Sequence, residues 1–280
     1  MSLPNFIVIG PPRTATTWLF RCLEEHPQVF VPNVKEPRFF DENYDKGLAW
    51  YQSLYEIVSE STLMVGDITP GYFIAEDVPN RMVELLGKDL KIYIVIRDPV
   101  ERAYSHYRML KRNDVMMGNF QDALMKEIAL VENSLYAKQI ARFLKVFPRS
   151  TMRLLSYKIL SEEPERYWEI FQTDLGVECV EVAALDRQVN QGLSDMRMPI
   201  LNQAVSKLKY RLDSSHLSRN LLWWMRDRGL IGMWHRISSK KNTKQSLSPE
   251  IAQDVLKKYF MMDQVALREY GDLMLDDHME

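Results

Sequence analysis

"FIVIGPPRTATTWL", residues Phe6 to Leu19, runs from an apolar stretch through a Gly-Pro-Pro turn into a threonine-rich segment with helical spacing. Trp18, Leu19, Cys22 and Leu23 form one face of that segment before His26-Pro27 stops it. Three further runs of β-branched or large apolar residues follow, Leu63–Val65, Ile92–Ile96 and Met152–Tyr157. Between them lie helical patterns, one carried by Leu135, Tyr136, Ile140, Phe143, Leu144 and Phe147. Strands alternating with helices predict an α/β fold on a parallel sheet. The loop after the first strand then lies at a carboxyl edge of the sheet, where such folds bind ligands.

The rest of the chain sets bounds on that reading. At 280 residues, 46% hydrophobic and 26% charged, it has the composition of one large domain or two small ones with a sizeable core. A net charge of −2 gives no global attraction to nucleic acid or anionic membrane, so any basic site must be local. Cys22 and Cys179 are too few for a disulfide framework and read as buried free thiols suited to a reducing compartment. No apolar run approaches the ~18 residues of a membrane span. With no basic region or cleavage site at the N-terminus, a cytoplasmic protein is the expectation. After Gly192 the β signal stops. Residues 194–245 read as a helical excursion and a mobile loop within a single domain of residues 1–280. A helix restarts at Ser248-Pro249-Glu250, with a cap serine, a proline at the first helical position and an early acid. Ile251, Val255, Leu256, Tyr259 and Phe260 supply its buried face.

A strand–loop–helix junction offers free backbone N–H groups and the positive end of a helix dipole. To these Arg13 adds a planar charged fork, and Thr14, Thr16 and Thr17 add hydroxyl donors. Set against the triphosphate-binding pattern G-x-x-x-x-G-K-[ST] from Gly10, Ala15 replaces the second glycine and Thr16 replaces the lysine. Such a loop suits a smaller or less charged group than a magnesium triphosphate, and an ordinary βα turn fits the same residues. A second stretch, "KIYIVIRDPVERAYSHYRML" (Lys91 to Leu110), ends a strand at Arg97 and starts a helix after Asp98-Pro99. Arg97 and Ser105 can converge on one anion from two sides, while Arg102 and Arg108 read as solvated helix charges. Two anion sites on neighbouring strand ends imply a ligand with two separated phosphate-like groups.

These motifs carry a resemblance. "PPRTATTWL" is similar to the 5′-phosphosulfate loop of sulfotransferases, and "IRDPVERAYSHY" is similar to their 3′-phosphate element. "VPNVKEPRFFDENYDKGLAWY", "VGDITPGYF", "SLYAKQIARFLKVFP" and "LSPEIAQDVLKKYF" resemble segments of heparan-type and bacterial members, in the same order. The resemblance implies a P-loop-related parallel sheet flanked by helices, with a mainly helical C-terminal region. It implies 3′-phosphoadenosine-5′-phosphosulfate as donor, adenosine 3′,5′-bisphosphate as product, and no metal. Carried over by position, Arg13, Thr14, Ala15, Thr16, Thr17 and Trp18 hold the 5′ phosphosulfate, and Arg97 and Ser105 hold the 3′ phosphate. Tyr136 is a further contact, although a tyrosine on a helix face also reads as core. Arg13 takes the place of the family's usual lysine and neutralises the leaving phosphate.

Transfer to a hydroxyl needs a proton acceptor. Glu36 in "KEPRFFD" matches the glutamate given that role in heparan-type members, and a surface carboxylate paired with Lys35 or Arg38 fits equally. Arg38 stands where the family usually has histidine, and Ile68 where heparan enzymes often carry lysine. In an extended segment Arg38 shares a face with Glu36. Asp67 is an alternative base or an acid ordering its loop; His26 and His106 read as structural or surface residues. The acceptor stays open among sugar, lipid and other hydroxyl-bearing small molecules. A P-loop small-molecule kinase and a non-catalytic nucleotide-binding protein are the rival readings.

Overall fold

The computed structural model describes residues 3–56, 58–112, 115–185 and 247–275. By contacts the chain divides into one unit of Met1–Tyr107, Gly118–Val189 and Leu247–Glu280, and another of Arg108–Met117 and Asn190–Ser246. The segment 194–245 and the Asn190-Gln191-Gly192 stretch lie outside the described residues. Everything that follows concerns the first unit, apart from the last turn of one helix.

Among the described residues, five parallel strands form the sheet: β1 (Phe6–Ile9), β2 (Val29–Phe30), β3 (Met64–Ile68), β4 (Lys91–Ile96) and β5 (Met152–Ser156), in the order β2-β3-β1-β4-β5. All the pairings are parallel, with Val8 opposite Ile68 on one side and Tyr93 on the other. The chain leaves β1 toward β2 and β3, then crosses back to β4, so connections diverge on the two sides of β1. That divergence opens a crevice at the carboxyl ends.

Both faces of the sheet are covered, which is why β1, β4 and β5 read as nearly continuous apolar runs. Ile7, Ile9, Ile92, Ile94, Met152 and Leu154 point into one core with Tyr136, Ile140 and Phe143 of the helix Tyr136–Leu144. Phe6, Val8, Tyr93, Val95 and Leu155 point into the other with Trp18, Leu19, Cys22 and Leu23 of the helix Thr16–Glu24. The α-helices among the described residues are α1 (Thr16–Glu24), α2 (Gly47–Ser53), α3 (Val78–Leu86), α4 (Pro99–Arg112), α5 (Phe120–Lys126), α6 (Ala129–Glu132), α7 (Tyr136–Leu144), α8 (Tyr157–Glu162), α9 (Pro164–Leu175), α10 (Pro249–Val255) and α11 (Met261–Leu267), the last two joined by a π-helical stretch, Leu256–Phe260. Ser248 caps α10 as expected, its hydroxyl accepting from the Ile251 N–H at 3.4 Å. On that last helix only Val255 and Phe260 of the anticipated face are fully buried.

Several expectations need correction. β3 is Met64–Ile68 rather than Leu63–Val65, because a buried Gly66-Asp67 pair continues the strand. Tyr157 opens α8 instead of ending β5. Cys22 is buried, and burial pushes its thiol up to about 12, but Cys179 is exposed beyond the end of α9. No helix among the described residues is long and apolar enough to cross a membrane.

Candidate functional site

The loop between β1 and α1 runs against the end of β4. Gly10 has φ 148, and a Cβ there would lie 2.7 Å from the Val95 carbonyl oxygen, so only glycine fits. Thr14 is buried and its hydroxyl donates to the Pro11 carbonyl at 2.9 Å, closing the loop on itself. Arg13 and Ala15 both occupy the left-handed region, at φ 83 and 61. For residues with a Cβ this costs about 1–3 kcal/mol each and marks a conformation held by its surroundings. Ala15 adopts it where the triphosphate pattern has glycine.

Ala15 is also the N-cap of α1. No side chain caps this end, and no acid stands in the first turn. The first N–H groups of a helix have no acceptor within it, so this end presents donors and partial positive charge to an anion. Thr16 is buried, Thr17 half-buried. Trp18 faces elsewhere: its ring lies in the core edge-to-face with Tyr167 at 5.9 Å, and its backbone N–H donates to the Ala15 carbonyl at 2.9 Å.

The second motif meets the loop directly. Arg13 Nε donates to Ser105 Oγ at 3.1 Å, and Arg97 Nη1 donates to the Arg13 carbonyl at 3.4 Å. Arg97 also pairs with Glu101 at 3.1 Å and lies over the Tyr157 ring at 4.3 Å. Asp98 Oδ1 accepts the Glu101 N–H at 2.8 Å and Pro99 opens α4, which fixes where Ser105 projects. The motifs expected to hold two separated anions therefore touch at one sheet edge.

Arg102, expected in solvent, is fully buried. Its Nε donates to Ser134 Oγ at 2.5 Å and its Nη2 to the Leu130 carbonyl at 2.6 Å, with His106 Nδ1 3.4 Å from Nη1. No carboxylate pairs with it among the described residues. Burial lowers its pKa to about 10, so it remains charged at neutral pH. Burial and the Arg102 and Arg13 charges lower His106 to about 4, which keeps that imidazole neutral. Tyr136 begins α7, fully enclosed, with its hydroxyl near the Arg97 backbone and the Ser134 side chain. Burial raises its pKa.

The acceptor-side segment departs from the expected extended geometry. Glu36 and Arg38 are both left-handed, at φ 62 and 53. The Arg38 fork turns to Asp41 at 2.8 Å and Glu42 at 2.7 Å, and Glu36 pairs with Lys35 at 2.8 Å. Arg38 is thus not the ion-pair partner of Glu36. Ile68 is buried in the core. Asp67 is wholly buried and accepts from Tyr51 Oη at 2.8 Å, Tyr72 Oη at 3.0 Å and Thr69 Oγ1 at 2.6 Å. Burial, opposed by those three donors, raises its carboxyl to about 6. Sequence reasoning does not single out Tyr51, Thr69, Tyr72 or Ser134; "GDITPGYF" contains two of them, and the signal there is an acid followed by hydroxyl donors at Thr69 and Tyr72.

Comparison with known proteins agrees with the geometry. The family model described as "Sulfotransferase domain" matches residues 3–183. The human "Heparan sulfate glucosamine 3-O-sulfotransferase 3B1" is 34% identical over 171 residues, covering 58% of this chain and 43% of that protein. "Membrane-associated sulfotransferase kil1" of Dictyostelium discoideum is 37% identical over 119 residues, 40% of this chain and 25% of that protein. The chain thus spans less than half the length of these curated relatives. A solved sulfotransferase from Alicyclobacillus acidocaldarius superposes with a TM-score of 0.61 at 26% identity, covering 68% of this chain and 88% of that one.

Proposed function

The chain belongs to the sulfotransferase family, and we propose that it moves a sulfuryl group from 3′-phosphoadenosine-5′-phosphosulfate to a hydroxyl acceptor. The observation that carries this reading is the Arg13–Ser105 hydrogen bond. It joins two anion-binding motifs 92 positions apart at the switch point of a parallel sheet, so that one ligand with two phosphate-like groups can engage both. The uncapped end of α1, with Arg13 and Ala15 left-handed before it, offers the backbone N–H groups that suit such a group. The donor, once bound, supplies an activated sulfur: the acceptor oxygen bonds to it as the bond to the bridging phosphate oxygen breaks.

The residues of the chain supply the rest. The N–H groups at the start of α1, with Thr16 and Thr17, hold the 5′ side, and Arg97 and Ser105 hold the 3′ side. Arg13 places its charge beside the leaving phosphate, where stabilisation acts on the transition state more than on the bound donor. Arg102 adds a buried positive charge that, among the described residues, no carboxylate offsets. Glu36 takes the acceptor's proton on its half-buried carboxylate, after release from Lys35. Supported by the heparan-type relatives, the acceptor is a carbohydrate hydroxyl, with a lipid or other hydroxyl-bearing small molecule as the alternative.

The test is a donor-dependent screen of hydroxyl compounds, heparan sulfate oligosaccharides among them, with product mass measured. A gain of one sulfuryl group without added metal supports the reading. Phosphorylated product with ATP and Mg²⁺ would establish the kinase alternative, and no product with any compound the non-catalytic one.

A further inference from the structure

We propose that Asp67, acting through Tyr72, is the positioning residue for the segment that carries Glu36. This inference rests on the role assigned to Glu36 above. Two non-glycine residues of that segment, Glu36 and Arg38, are held at positive φ. Such a conformation persists only where the surroundings over-determine it. Local bonds account for part of this: Asn43 Nδ2 donates to the Pro37 carbonyl at 2.8 Å, and Arg38 is drawn to Asp41 and Glu42.

The link to the sheet is different in kind. The Phe39 N–H donates to Tyr72 Oη at 2.7 Å, and that hydroxyl donates its own proton to Asp67 Oδ2 at 3.0 Å. An ionised carboxylate accepts only, so it orients the Tyr72 hydroxyl with its lone pairs toward the Phe39 amide. Tyr51 donates to the same carboxylate and stacks its ring on Phe39 at 4.2 Å with 7° between the planes. Asp67 is the penultimate residue of β3, the neighbour of β1, so the chain Phe39–Tyr72–Asp67 ties the Glu36 segment to the strand beside the anion loop. Its complete burial and three donors leave it no path to an acceptor proton, which makes it a positioning group and removes it as the base.

The experiment is a double-mutant cycle on the full chain, Tyr72→Phe with Glu36→Gln, read with a heparan sulfate oligosaccharide as acceptor probe and with water alone as acceptor. Tyr72→Phe keeps the ring and removes the hydroxyl. It is expected to lower kcat about 10-fold, since a misplacement near 1 Å has effects of that order or larger, while the Kd of adenosine 3′,5′-bisphosphate stays unchanged. In the Glu36→Gln background the same change should alter kcat by less than about 2-fold, because the group it positions is already gone. An equal loss in both backgrounds means a structural role only and overturns the inference. Hydrogen exchange at the Phe39 amide gives a reading independent of turnover: faster exchange in Tyr72→Phe is required, and unchanged exchange overturns the link. Absence of turnover in the wild type, or full turnover in Glu36→Gln, counts against the function or the base instead, and the exchange result still decides the link.

Discussion

Arg97 and Arg13 meet at one sheet edge, and their surroundings assign them different sensitivities. Arg97 is held by Glu101 and the Tyr157 ring, ready to exchange an exposed carboxylate for a phosphate. Arg97→Ala should weaken adenosine 3′,5′-bisphosphate binding by roughly 2–4 kcal/mol, measured by calorimetry, as loss of a charge-assisted contact does. Arg13→Ala should lower kcat by a larger factor than it raises that Kd, because its charge matters most as the leaving group forms. Equal factors would mean that Arg13 only holds the ground state. Glu36→Gln should leave the Kd unchanged and cut turnover ~100-fold. Arg13, Arg97 and Ser105, which the structure brings together, are each legible as a residue type at a motif position. Arg102 was misread even though Pro99, Ala103 and His106 share its buried helix face; the spacing placed it inside, and its charge argued otherwise. The left-handed turns at Glu36 and Arg38 had no local signal, since neither glycine nor asparagine marks them.

At the scale of elements, alternating strands and helices were readable because each strand is covered on both faces and so nearly unbroken in its apolar run. β2 was missed because two residues make no run at all. The start of α7 shows what spacing cannot reveal. Its N-terminal N–H groups at Ala137 and Lys138 donate to the Asp263 carboxylate at 3.2 Å each, from a helix more than a hundred residues later in the chain. Burial raises that carboxyl above its ordinary value while the backbone donors oppose the rise. The bond seats the turn on which Tyr136 sits. Asp263→Ala should therefore cost about 1 kcal/mol in urea unfolding, as loss of a capping acceptor does, and Asp263→Asn should recover part of it. Identical midpoints for Asp263→Ala and the wild type would show that the contact contributes nothing.

For the whole molecule, proton linkage follows from buried Asp67 and ligand linkage from the anion site. The Asp67 carboxyl is raised from 3.8 to about 6, so between those values the native state holds a proton that the unfolded chain has released. Stability from this group is therefore fully present below the lower value and is lost as pH rises through the higher one. Other carboxylates titrate in the same window, so the comparison must be with Asp67→Asn. The advantage of the wild type over that variant should shrink by about 2–3 kcal/mol between pH 4 and pH 7, then stay level. A constant difference would mean that the three hydroxyl donors hold Asp67 ionised throughout. Ligand linkage tests the anion site in the same global terms. A ligand that binds only the native state stabilises it by about 2.7 kcal/mol at a hundred times its Kd. For a protein of this size that is on the order of 5–10 °C in Tm. Adenosine 3′,5′-bisphosphate should produce such a shift without added metal, because Arg13, Arg97 and the start of α1 already carry the positive charge that Mg²⁺ brings to a triphosphate. ATP with Mg²⁺ should do much less, since Thr16 stands where the lysine of a triphosphate loop belongs. The reverse ranking would place a triphosphate in this loop and remove the sulfuryl-transfer reading.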